Sequence, residues 1–140
     1  MIELVAIPRE SVGMMWPIVK PGIKKTLARG IGMHSEQQIF DAAVEGDMLL
    51  FVVVQDDSLE PLATLICNVD EGEHRIFQVG MAWAGKGDLN EWFDIAYDAL
   101  LKVAIELKCN IVAITGRRGW VRYLRSRGFS EKMVTVIKEI

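Results

Sequence analysis

The residues best suited to ligand chemistry stand in a glycine-rich stretch, "AWAGKGD", from Ala82 to Asp88. It follows an apolar run and opens a segment with helical periodicity. Gly85 and Gly87 allow a tight turn and leave no Cβ between the backbone and a ligand. Unpaired N–H groups at the start of the following helix favour an anion such as a pyrophosphate, and Lys86 adds a positive charge. A plain strand-to-helix turn capped by Asp88 is the structural alternative.

A second unusual stretch, "GRRGWVRYLRSRGF", runs from Gly116 to Phe129 and contains five arginines. Trp120, Tyr123 and Leu124 are spaced like the buried face of a short helix. Gly128 is the expected C-terminal cap of that helix, because glycine tolerates the left-handed backbone found there. The sequence therefore predicts a short helix that packs on the sheet through its aromatic side.

The arginines of this stretch concentrate positive charge near the C-terminus. Residues 117–140 include seven basic and two acidic residues, whereas the whole chain has a formal charge of −3. Two interpretations stay open: solvated arginines that balance an acidic body, or contacts to a phosphate-bearing ligand or an acidic partner. We expect no nucleic-acid binding, because the chain is acidic overall and no docking helix or base-stacking motif is legible.

Histidine and cysteine residues give no sign of a metal site or a disulfide. The two cysteines, Cys67 and Cys109, lie far apart, and His34 and His74 stand in no metal-ligand spacing with them. No apolar run is long enough to span a bilayer, and the N-terminus lacks the pattern of a signal peptide. We therefore expect a cytoplasmic protein with no metal and no membrane partner.

The secondary structure that must position these residues can be predicted from periodicity, and residues 1–140 are expected to form one domain. Strands are predicted at "IELVAI", "MLLFVVVQDD", "PLATLICNV", "RIFQVGMAWAG", "NIVAIT" and "KMVTVIKEI". Helices are predicted at "RESVGMMWPIVKPGIKKTLARGIG", "HSEQQIFDAAVEGD", "DLNEWFDIAYDALLKVAIELK" and "WVRYLRSRGF". Because Pro17 and Pro21 interrupt the first predicted helix, we expect either two short helices or one kinked helix there. The order β-α-α-β-β-β-α-β-α-β predicts a mixed sheet with helices on both faces, an α+β domain in α/β/α layers.

Local signals add detail to this order. Ser35 and Gln38 form a capping-box pattern at the start of the second helix, and Gly46 ends it. Asp88 and Glu91 form the same pattern before the long third helix. The runs "MLLFVVV" and "NIVAIT" are apolar along their whole length, so both are expected inside the sheet, paired on each side.

The element order, the glycine-rich loop and the Gly-Phe helix together resemble the GNAT superfamily of acetyl-CoA-dependent N-acetyltransferases. The likeness is closest to the acetyltransferase-like proteins of tailed bacteriophages, which share Trp16-Pro17, Gly46-Asp47 and "GRxGWxRxLxxxGF". The resemblance implies a mostly antiparallel central sheet. It also implies acetyl-CoA as the cofactor, held by the loop residues Gly85, Lys86, Gly87 and Asp88, with an amine as the acyl acceptor.

The chain departs from the family pattern at three positions. Ala82 stands where the family has a Gln or Arg at the head of the loop. Leu124 stands where many members have the tyrosine that protonates the leaving thiolate, and Tyr123 is the nearby catalytic candidate. The fourth predicted strand offers Gln78 but no carboxylate to act as a general base.

These features support two functional hypotheses. The first is an acyl-CoA-dependent N-acyltransferase-like protein. The alternative is a catalytically inactive GNAT-fold phage protein that acts in virion structure or assembly or binds a host protein, and is then virion-associated. A homodimer is compatible with either hypothesis because the chain is rich in tryptophan.

Overall fold

The fold is built around an open five-stranded sheet with helices on both faces. The computed structural model describes residues 1–29, 32–56, 58, 60–85 and 89–140. The strands are β1 (Ile2–Ile7), β2 (Leu49–Gln55), β3 (Ala63–Glu71), β4 (Arg75–Ala84) and β5 (Ile111–Ile114). The helices are α1 (Val12–Arg29), α2 (Glu36–Glu45), α3 (Leu89–Glu106) and α4 (Gly119–Arg125), and a short 3-10 turn at Arg9–Ser11 precedes α1.

The strands lie in sequence order, β1-β2-β3-β4-β5. The first four pair antiparallel with their neighbours, as expected where short turns join β2 to β3 and β3 to β4. β5 joins β4 in parallel, because α3 carries the chain back across the sheet between them. The predicted α+β class, with a mixed, mostly antiparallel sheet, is confirmed.

The two faces of the sheet have separate cores, and β2 contributes to both. Leu50 and Val52 pack against α1 and α2 on one face. Phe51 and Val53 point to the other face, which α3 covers. All four side chains are at most 2 % exposed, so the prediction that β2 lies inside the sheet is confirmed.

The helices follow their local signals. α1 is one helix that runs through Pro17 and Pro21, each of which lacks the N–H for a helical hydrogen bond. α2 begins with the predicted capping box, in which Ser35 and Gln38 exchange hydrogen bonds of 3.1 and 2.8 Å. Gly46 ends α2 in the left-handed conformation, with φ of 87°.

Two predictions about the C-terminal part of the sheet are wrong. Residues 130–140, including the predicted strand "KMVTVIKEI", form no strand and are exposed. β5 consequently lies at the edge of the described sheet, with β4 as its neighbour, and is not an interior strand. The apolar, β-branched pattern predicts that a segment can form a strand, but it does not predict whether the same chain provides a neighbouring strand for it to pair with.

Within the described part of the chain, no helix combines the length and the apolar character needed to cross a bilayer.

Candidate functional site

The site lies where β4 and β5 separate. Parallel pairing joins Ile76–Val79 of β4 to β5 and ends with a hydrogen bond of 2.9 Å from Thr115 N–H to the Val79 carbonyl. β5 ends at Ile114, while β4 continues to Ala84 without a described strand partner on that side. The separation coincides with a bulge, since Gly80 is skipped in the register between β3 and β4. A bulge bends a strand and increases its twist, so the local irregularity helps to open this space.

The separation leaves backbone groups of β4 without a strand partner. Gly85 N–H donates to the Leu62 carbonyl at 2.6 Å, on the β3 side. Because successive residues of a strand direct their N–H and C=O groups to opposite sides, Ala82 and Ala84 direct theirs toward the gap. None of the described strands pairs with them there. This edge can therefore hydrogen-bond to an extended ligand that carries amide groups.

An apolar cleft opens beside this edge, on the face that α3 covers. It is a narrow space of about 50 Å³, enough for a few water molecules. Its walls come from the sheet, α3, the end of β5 and α4, and include Leu65, Val79, Ala82, Phe93, Tyr97, Leu100, Ile114, Thr115, Trp120 and Leu124. Such a surface suits an aliphatic chain and not a charged group.

A second depression, the basic groove, adjoins the cleft at the first turn of α3. It has a volume of about 250 Å³ and is lined by Leu89, Arg117, Gly119, Trp120, Arg122 and Tyr123. α3 starts at Leu89, so the positive end of its dipole lies at this groove together with two guanidinium groups. Of the described residues that line it, none is acidic. The groove is therefore suited to an anion.

Three of the five arginines after β5 have contrasting positions. Arg117 and Arg122 line the basic groove, and Arg122 also donates to the Tyr123 hydroxyl at 3.3 Å. Arg127 instead fastens α4 to α3. Its guanidinium forms an ion pair with Asp94 of α3, donates to the Tyr123 carbonyl at 2.6 Å and lies 4.7 Å from the centre of the Phe93 ring.

The aromatic face predicted for α4 is present, but its ring contacts are with α3, whereas the sequence predicted packing on the sheet. Trp120 and Tyr123 pack on Phe93 with ring centres 5.9 and 5.3 Å apart, and Leu124 is buried. Gly128 has φ of 86°, and the following N–H, that of Phe129, donates to the Leu124 carbonyl at 3.3 Å. This geometry closes the helix as the Gly-Phe pair predicts.

The two tyrosines of the chain take different positions. Tyr123, the catalytic candidate from the sequence, lines the basic groove, whereas Leu124 lines the cleft. Tyr97 of α3, which the sequence analysis missed, does line the cleft. Burial, reinforced by the neighbouring Asp98 carboxylate, raises the pKa of Tyr97 above its ordinary value. It gave no sequence signal because its spacing matches the buried face of an ordinary amphipathic helix.

The glycine-rich loop is described only at its first glycine. A Cβ on Gly85 would lie 2.7 Å from the Trp83 ring and 3.2 Å from the Leu62 carbonyl oxygen, so a larger residue there would have to displace a neighbour. Lys86, Gly87 and Asp88 lie outside the described residues. Their role in holding a cofactor stays a prediction.

Comparison with solved structures identifies the fold. A probable acetyltransferase superimposes with a TM-score of 0.72 at 11% sequence identity, over 99% of this chain and 96% of that chain. A ribosomal-protein-alanine N-acetyltransferase from Brucella melitensis biovar Abortus 2308 gives 0.65 at 8% identity, over the full length of both chains. An aminoglycoside N-acetyltransferase solved in complex with CoA gives 0.65 at 8% identity, over 100% of this chain and 95% of that one.

The chain has the GNAT acetyltransferase fold. No protein-family model matches its sequence, and no curated protein matches it either. The order of elements and the short motifs, together with the superposition, indicate the GNAT fold, although the sequence identity to these structures is only 8–11%. Among the described residues of this GNAT fold, no three His, Cys, Asp or Glu side chains lie close enough together to hold a metal ion.

Proposed function

We propose that this chain binds an acyl-CoA in the gap between β4 and β5 and transfers the acyl group to an amine. The observation that carries the proposal is the adjacency of an apolar cleft and a basic groove. Trp120 lines both, so the two lie on either side of one side chain, and the cleft borders β4 at Ala82. A CoA thioester has the matching order of parts: an acylated thiol, a chain with two amides and a diphosphate.

Each part of the ligand has a proposed contact. The amides of the chain pair with the free backbone groups of Ala82 and Ala84, as an added strand would. The diphosphate lies in the basic groove near Arg117 and Arg122, with further N–H groups from the predicted loop residues 86–88, because the Gly85 N–H is already bonded to the Leu62 carbonyl. The cleft is narrower than such a chain, so binding must displace a side chain, and Trp120 stands at the junction.

The reaction requires few protein groups. The neutral amine attacks the thioester carbonyl carbon, the C–S bond breaks, the amide keeps the acyl group, and the CoA thiolate takes a proton. Holding the two reactants in line supplies much of the acceleration in such a transfer. β4 carries no carboxylate, and Gln78 lies between Phe77 and Val79, which face α3, so its side chain is on the opposite face from the cleft. We therefore infer that water removes the amine proton.

The proton for the thiolate has two candidate donors. Tyr97 lines the cleft, and its hydroxyl is protonated at neutral pH as in any ordinary tyrosine, although the raised pKa makes it a weaker acid. Tyr123 lines the adjoining basic groove. Thioester cleavage by the Tyr97→Phe and Tyr123→Phe variants separates them: the variant with the lower turnover identifies the donor. If both variants cleave the thioester at the wild-type rate, the proton comes from solvent.

Calorimetric titration with acetyl-CoA tests the binding site. Arg117→Gln combined with Arg122→Gln should weaken binding by about 30-fold, because two partly exposed charge-assisted contacts of about 1 kcal/mol each are lost. Arg125→Gln is the matched control, since Arg125 is an exposed arginine of the same helix outside the groove. Acetyl-pantetheine has no diphosphate, so the double variant should bind it as the wild type does. Equal loss for both ligands would place the diphosphate elsewhere.

The alternative function, a GNAT-fold protein without turnover, has one structural observation in its favour. Leu124 occupies the α4 position in the cleft where the family resemblance implies a tyrosine. Loss of thioester absorbance with a panel of primary amines decides between the two. Binding of acetyl-CoA without turnover for any amine supports a binding or assembly role, and the absence of binding at millimolar acetyl-CoA would refute the acyl-CoA proposal altogether.

A further inference from the structure

The C-terminal segment, residues 132–140, is an exposed arm with the sequence of a strand. Its five apolar side chains, listed here with their exposure, are Met133 (87%), Val134 (67%), Val136 (89%), Ile137 (59%) and Ile140 (121%). They include both odd and even positions, so neither face of the arm rests on its own chain. An apolar segment left in water in this way is typical of a surface that is covered in an assembly.

The edge of β5 is the complementary feature. The hydrogen bond from Thr115 N–H to Val79 shows which backbone groups of this segment face β4. By alternation, Val112 and Ile114 direct their N–H and C=O groups to the opposite side. No described strand pairs with them there, and Ile111 is 37% exposed. An apolar strand with a bare edge invites pairing with a further strand.

Two contacts hold the residues that precede the arm against the rest of the domain. Phe129 packs edge-on against Tyr97 with ring centres 6.0 Å apart, and Glu131 lies 3.7 Å from the Arg118 guanidinium. From there the arm projects outward, since a segment lying on its own β5 would bury one of its two faces. The same chain therefore presents an unpaired strand and an unpaired edge that do not meet each other.

We propose that two copies of this chain form a two-fold symmetric dimer in which each arm pairs with the β5 edge of the other copy. Exchange of an identical element satisfies both unpaired features at once and closes the assembly, because each contact is made twice. It adds a sixth strand to each sheet and covers the apolar side chains of both arms. The proposal does not depend on acyl-CoA binding.

Light scattering and hydrogen exchange on the full chain test the dimer. We expect twice the chain mass and slow exchange at the arm and at Val112 and Ile114. Of Thr135→Pro and Val136→Pro, the variant whose lost N–H belongs to the ladder should give the monomer mass and fast exchange, because an edge strand tolerates proline only where the N–H faces solvent. Using both positions covers either pairing register. Val136→Ile is the matched control and should remain a dimer, because it keeps the N–H and the β-branched side chain.

Three outcomes would overturn the proposal. A monomeric wild type with a protected arm would show that the arm pairs with its own β5. A monomeric wild type with an unprotected arm would show that the arm pairs with nothing. A dimer that survives both proline variants would place the interface elsewhere. The proline variants should keep the thermal stability of the monomer, because the arm makes no regular structure within its own chain.

Discussion

Substitution of Arg127 tests whether this arginine stabilises the fold or binds a ligand. Its side chain is 24% exposed and lies between α3 and α4. We predict that Arg127→Ala destabilises the protein strongly, whereas Arg125→Ala, two residues earlier on the exposed side, changes stability by less than about 0.5 kcal/mol. Arg127→Lys should fall between them, because lysine keeps the positive charge near Asp94 but cannot stack as a planar group.

The expected loss follows from the contacts of the guanidinium. The hydrogen bond to the Tyr123 carbonyl contributes about 1.5 kcal/mol, as is usual when the donor is charged. The guanidinium lies 4.7 Å from the Phe93 ring centre and 5.3 Å from that of Tyr97, which adds about 0.5 kcal/mol for each ring. The ion pair with Asp94, itself 70% exposed, adds about 0.5 kcal/mol. The sum is about 3 kcal/mol.

Urea denaturation of the wild type and the three variants measures this loss, and a thermal melt should show a decrease of about 10 °C for Arg127→Ala. The acetyl-CoA affinity of the folded variant should change little. If Arg127→Ala and Arg125→Ala are equally stable, Arg127 does not hold α4 on α3. If instead affinity falls while stability is kept, Arg127 contacts the ligand, and the division of the arginines proposed above is wrong.

Three further predictions concern the core. Burial raises the pKa of the Cys67 thiol to about 12. The unfolded state loses this proton at lower pH, so the free energy of unfolding should fall as pH rises above about 9, by up to about 1.4 kcal/mol per pH unit. Urea titrations at several pH values should show a steeper slope in the wild type than in Cys67→Ala, which keeps the contribution of Tyr97, whose pKa is also raised. A Cβ on Gly22 would lie 2.5 Å from Thr64 Oγ1, so Gly22→Ala should cost about 1–3 kcal/mol. The Thr64 hydroxyl is buried and has no hydrogen-bond partner among the described residues, so Thr64→Val should gain about 1 kcal/mol. A neutral Gly22→Ala would mean that α1 can move away from β3.

Features set by neighbours in the sequence could be predicted from the sequence itself. The Ser35–Gln38 capping box, the end of α2 at Gly46 and the closure of α4 by Gly128 all form as expected. The unbroken apolar run of β2 correctly indicated a strand buried on both faces. Caps and periodicity act over one or two turns or along one strand, so a short window of sequence contains the whole interaction.

Features that depend on distant segments were decided by the tertiary structure. Arg127 and Arg122 look alike in sequence, yet one is held by Asp94 and the other lines a groove. Tyr97 lies in the cleft because α3 and α4 pack on each other, which no local pattern reports.

The sheet edge is the clearest case of this kind. The sequence determined that "NIVAIT" and "KMVTVIKEI" are both suited to strands, and the structure left them unpaired with each other. A strand is stabilised by hydrogen bonds and side-chain pairs with a neighbour, so its formation depends on where that neighbour lies and, in the dimer that we propose, on a second copy of the chain.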